Sequence, residues 1–62
     1  MIAIQIKSRE EWFILKKKYK EYSNKEWGIG LWNYFKEETC YIPEDDCFIN
    51  LEKAIKLKLT IK

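Results

Sequence analysis

The chain opens on strict alternation. Ile2, Ile4 and Ile6 stand at every second position, separated by Ala3, Gln5 and Lys7, the two-residue period of a half-buried strand. Ser8-Arg9-Glu10-Glu11 follows with the spacing of a capping box. In that arrangement the Ser8 hydroxyl accepts from the Glu11 amide and the Glu11 carboxylate accepts from the Ser8 amide. The period then changes: Trp12, Leu15, Tyr19 and Tyr22 recur at three- and four-residue intervals, the apolar stripe of a helix. Glu10 and Glu11 sit at the positive end of its dipole, and Lys16, Lys17, Lys18 and Lys20 gather toward the negative end. Ser23 and Asn24 close it.

Trp27-Gly28-Ile29-Gly30 reads as a loop, its glycines permitting tight turning. Leu31, Asn33 and Phe35 then alternate with Trp32 and Tyr34, which suits a strand, but the run is too short for periodicity to exclude a helix over Leu31–Glu38. Thr39–Ile42 and Cys47–Leu51 flank the turn-forming cluster Pro43-Glu44-Asp45-Asp46 and predict a hairpin. At the C-terminal end Ile55, Leu57, Leu59 and Ile61 alternate with Lys56, Lys58, Thr60 and Lys62, the pattern of another strand. The expected architecture is α+β in the order β-α-β-β-β. It is a single domain over residues 1–62, a mostly antiparallel sheet of about four strands with one helix packed on one face.

Pairing Ile42 with Cys47 across the turn puts Cys40, Ile42, Cys47 and Ile49 on one side of the hairpin, and Tyr41 and Phe48 on the other. The expected helix-facing side joins the first of these sets to Ile2, Ile4, Ile6, Leu51, Ile55, Leu57, Leu59 and Ile61. The opposite, open side collects Gln5, Trp32, Tyr34, Tyr41, Phe48, Asn50, Lys56, Lys58 and Thr60. An exposed patch of rings and cations on so small a chain marks an interaction surface. Its candidate ligand-binding residues are Trp32, Tyr34, Tyr41, Phe48, Lys56 and Lys58, with the exposed Lys16, Lys17 and Lys20 of the helix as the next place to look.

Composition sharpens this. Ten of the 62 residues are aromatic, and each ring brings roughly 150–250 Å² to bury. A chain this short buries only about 60% of its unfolded surface, so some rings are expected to meet a partner or a second copy, most simply in a homodimer. The net charge of +2 rests on eleven Lys and one Arg, whereas a dedicated DNA reader favours the forked donors of Arg. Histidine is absent, which removes the commonest general base and metal ligand and every Ser–His or Cys–His nucleophile system. Cys40 and Cys47, without His, fall short of a four-ligand zinc set, and their offset in the hairpin disfavours a disulfide. Glu10/Glu11, Glu37/Glu38 and Asp45/Asp46 are accounted for by helix start, strand lead-in and turn. No phosphate-binding glycine motif, secretory leader or membrane span is recognisable. The expectation is a cytoplasmic, non-enzymatic binding protein with free thiols and neither metal nor cofactor.

Ser8–Trp12, the Trp-containing middle (Trp27 or Trp32) and Cys47-Phe48-Ile49-Asn50-Leu51 together resemble short bacteriophage accessory proteins of uncharacterised function. The resemblance spans most of the chain with loose motifs. It implies a counter-defence protein in the host cytoplasm, which neutralises a host defence component by contact with a defence protein or by sequestering a nucleotide signal as an oligomer. The alternative is a small single-stranded nucleic-acid binder that stacks unpaired bases on the aromatic sheet face. A virion component is the blander third reading. Glu21, Glu26, Glu37, Glu38 and Glu52 interrupt any continuous basic stripe.

Overall fold

The computed structural model describes residues Met1–Lys62. The first alternation forms strand β1 (Ile2–Ile6), and Ser8, in extended conformation, caps helix α1 (Arg9–Tyr19). The Ser8 hydroxyl accepts from the Glu11 amide at 3.1 Å. The return bond of the box reaches one residue further than the pattern predicts: Glu11 accepts from the amide of Lys7, at 2.8 Å. Trp12 is the buried residue of α1, and its side chain anchors the helix on the sheet.

The ambiguous middle segment is helical. Ile29–Phe35 forms α2, followed by a 3₁₀ turn over Lys36–Glu38. Its buried ring, Trp32, donates from Nε1 to the Ile6 carbonyl at 2.9 Å. A strand would have turned every second side chain of this run away from the core, whereas the helix buries Trp32 and lets Ile29 and Leu31 pack beside it.

Strands β2 (Thr39–Ile42) and β3 (Cys47–Asn50) form the expected hairpin, with Ile42 opposite Cys47 and Tyr41 opposite Phe48. The C-terminal alternation, however, does not make one long strand. Leu51–Lys56 is helix α3, Lys58 turns the chain at φ 57°, and only Thr60–Ile61 extends as β4. The cause is local. Asn50 caps the helix by accepting from the Lys53 amide at 2.9 Å, Glu52 occupies the first turn, and Lys56 pairs with Glu52 at 3.4 Å one turn on. A cap, a dipole-matched acid and an i,i+4 pair override a two-residue period.

The fold is α+β, with a four-stranded, mostly antiparallel sheet ordered β3-β2-β1-β4. β1 runs antiparallel to β2 and parallel to β4. The expected single helix on one face gives way to helices on both: α3 covers one, and the sheet register decides which face α1 and α2 cover. Ile4 lies opposite Tyr41 and Ile6 opposite Thr39, so the β1 isoleucines share a face with Tyr41 and Phe48 rather than with Cys40 and Ile42. On that face Ile6, Trp12, Trp27, Trp32 and Tyr41 form one buried cluster. On the other, Ala3, Cys40, Ile42 and Ala54 form a second. Small Ala3 and Ala54 let α3 approach the sheet closely there. No helix is long and apolar enough to cross a membrane.

Candidate functional site

The aromatic side of the sheet is core. Trp27 stacks edge-on against Tyr41 and Phe48, with ring centroids 4.8 Å from each, and Trp12 lies 5.0 Å from Trp27 and 5.2 Å from Phe48. Tyr19 closes the group 5.2 Å from Tyr41. Pairs in this range are worth roughly 0.5–1.5 kcal/mol beyond the area they bury. The indole N–H groups of Trp12 and Trp27 are buried without an acceptor, a polar cost the ring packing must outweigh.

The six residues singled out from sequence therefore fall in four places. Trp32 and Tyr41 are buried in the core and Phe48 packs half-buried against it. Tyr34 stands 80% exposed on α2, its ring edge-on to Phe35 at 4.8 Å. Lys56 is on the outer face of α3, paired to Glu52, and Lys58 is in the turn that follows. The open aromatic face does not exist, because the β1–β2 register brings the helix down on the rings.

What the fold does assemble is a basic cleft between the C-terminal half of α1 and the segment that leads into α2. Lys16, Lys20, Ser23, Asn24, Lys25, Glu26, Trp27 and Gly28 line about 350 Å³. The 16/20 spacing sets two ammonium groups on one helix face, and Lys25 comes from the opposite wall. That wall is held by Asp46 of the β2–β3 turn. Asp46 Oδ1 accepts from the Ser23 hydroxyl at 2.6 Å and from the Tyr41 hydroxyl at 2.7 Å, and Oδ2 accepts from the Asn24 amide at 2.7 Å. Ser23 Oγ in turn accepts from the Lys25 amide at 3.1 Å.

These bonds set the local acidities. The Ser23 hydroxyl, then the Tyr41 hydroxyl and the Asn24 amide, hold the Asp46 carboxyl below its usual range. Burial first, and the bond to Asp46 second, push the Tyr41 phenol up to about 12. Burial also raises the Cys40 thiol. Cys40 and Cys47 are both free, on the same sheet face, with Ile49 opposite the first and Ile42 opposite the second.

Sequence reading reached part of this site. Lys16 and Lys20 were visible as exposed cations of the helix. Asp46 looked like a turn residue only, because its partners Ser23 and Asn24 lie more than twenty positions upstream. Lys25 carried no signal, since only the fold of the 23–28 segment brings it into the lining of the cleft. Among known proteins, no family model, no curated protein and no solved structure matches this chain.

Proposed function

We propose that the chain is a non-enzymatic binding module that acts by contact with a protein partner through its helices, in the manner of a small accessory protein that neutralises a host defence component. The observation that carries this is the exposure of large apolar and aromatic side chains on helical surface while both sheet faces are filled. Tyr34 on α2 and Tyr22 just beyond α1 are about four-fifths exposed, and Phe13 and Ile14 of α1 are at least half exposed. Tyrosine is enriched among residues that dominate interface energy. The single-strand reading loses support, because Tyr41 is buried and Phe48, half-buried, is packed against Trp12, Trp27 and Tyr41.

Native mass spectrometry of the protein purified from expressing or infected cells tests this. A protein partner at fixed stoichiometry, lost in Tyr34→Ala but retained in Lys53→Ala, is the expected result. Recovery of the chain alone, or only as copies of itself, overturns it.

A further inference from the structure

The basic cleft goes beyond protein contact, and its chemistry is specific enough to name a ligand class. Among the lining groups its three lysines meet one carboxylate, Glu26, and the charge of Lys25 also helps to hold the nearby Asp46 carboxyl below its usual range. None of them is in an ion pair: the chain has one salt bridge, between Lys56 and Glu52 on α3. Two like charges one helical turn apart, as at Lys16 and Lys20, oppose helix formation. The C-terminal end of α1 contributes a partial negative charge of roughly half a unit, too little to neutralise Lys16 and Lys20, neither of which is in an ion pair. An anion seated between them relieves that repulsion.

The opposing wall is organised before any ligand arrives. Ser23 and Asn24 are tied to Asp46 by bonds of 2.6 and 2.7 Å, and the Lys25 amide is tied to Ser23. Fixing this segment in advance removes ordering entropy from the binding step. The cavity of about 350 Å³ lies at the small end of ligand sites, roughly 300–1,000 Å³. Its one apolar lining residue, Trp27, is 3% exposed and already packed on Tyr41 and Phe48. The cleft has no ring face for a base to stack on.

We infer that the cleft binds small polyphosphates, recognised through phosphate charge by Lys16, Lys20 and Lys25, with any attached nucleoside left outside. Lysine suits this role as a compact, mobile point charge.

Titration calorimetry at low ionic strength, with tripolyphosphate and with ATP as separate probes, tests the inference. Both should bind saturably, with affinities within about threefold of each other, and weaken as salt rises. Lys20→Ala/Lys25→Ala should lose about tenfold or more and show a shallower salt dependence, since each lysine withdrawn releases fewer counterions. Lys53→Ala/Lys56→Ala makes the same charge change at exposed positions of α3 and should keep wild-type affinity. Equal weakening by the two double variants overturns the proposal in favour of diffuse charge. Absence of saturable binding by either probe at millimolar concentration also overturns it, as does tight binding of ATP with none of tripolyphosphate.

Discussion

The Tyr41 hydroxyl donates to Asp46 Oδ1 at 2.7 Å, so the last acid of the β2–β3 turn is tied to a ring of the aromatic core. Asp46 reaches this position with φ 49°, in the left-handed region that Asn and Asp tolerate better than other side chains. The same carboxylate takes Ser23 and the Asn24 amide. One turn residue thereby joins hairpin, core and cleft wall.

This arrangement makes stability depend on pH at both ends. The folded Asp46 carboxyl titrates below its unfolded value of 3.8. Its contribution is therefore complete above that value and is lost as pH falls through the depressed folded value. Tyr41 runs the opposite way. Its folded value of about 12 exceeds the ordinary 10.0, so its contribution is complete below pH 10.0 and is lost as pH rises toward 12. Denaturant midpoints across the range should fall at both extremes. Asp46→Asn should flatten the acid limb, and Tyr41→Phe the alkaline one. An unchanged acid limb in Asp46→Asn excludes Asp46 as its source.

The two thiols should differ in reactivity. Cys40 is fully buried with its thiol acidity suppressed, and the thiolate is the reacting species. Cys47 is partly exposed. A disulfide-exchange reagent should titrate Cys47 in the native protein and Cys40 only on unfolding. Fast native reaction of both thiols means that the Ala3–Cys40–Ile42–Ala54 cluster is open.

Helix caps separate the two readings of the C-terminal region. Asn50→Ala removes the acceptor for the Lys53 amide and should cost about 0.5–2 kcal/mol, the usual range for an N-cap. Ser8→Ala should cost a similar amount at α1. A long strand from Ile55 to Ile61 would make Asn50 a replaceable hairpin residue. A chemical denaturation midpoint unmoved by Asn50→Ala therefore counts against α3.

How much was legible from sequence follows from the range of the interactions. β1, the start of α1 and the hairpin turn are specified within a few residues, by alternation, by the Ser8 cap and by the Pro43–Asp46 cluster, and each is present, although α1 ends at Tyr19, short of Ser23 and Asn24, and leaves Tyr22 exposed. What alternation cannot carry is the pairing of distant strands. Ile4 could equally face the side of Tyr41 or of Cys40 until β1 and β2 are in register, and a shift of one residue exchanges the two faces. That choice put Tyr41 and Phe48 on the side that α1 covers, while helix α2 took Trp32 and Tyr34, and α3 with its turn took Lys56 and Lys58, off the expected face. The cleft was hidden for the same reason, since its wall depends on Ser23 and Asn24 meeting Asp46. The C-terminal error was different in kind: Asn50, Glu52 and Lys56 were readable as cap, first-turn acid and i,i+4 partner, and the Ile55–Ile61 alternation outweighed them.

The turn after α3 supplies the last prediction. The Lys58 amide donates to the Ile55 carbonyl at 3.0 Å and the Leu59 amide to the Ala54 carbonyl at 3.1 Å. These are the paired bonds of a Schellman helix end, and Leu59 completes it by packing on the cluster that contains Ala54. The left-handed residue of this motif is usually glycine, but here it is Lys58, at φ 57°. An L-residue with a side chain pays roughly 1–2 kcal/mol there, while glycine would lose about 0.4–1 kcal/mol through its freer unfolded chain. Lys58→Gly should therefore stabilise the protein by about 0.5–1 kcal/mol, read as a higher denaturant midpoint at unchanged slope. It should also leave tripolyphosphate affinity intact, because Lys58 does not line the cleft. If stability falls instead, the Lys58 side chain makes a contact that outweighs its backbone strain. If stability rises while polyphosphate affinity collapses, Lys58 belongs to the anion site after all.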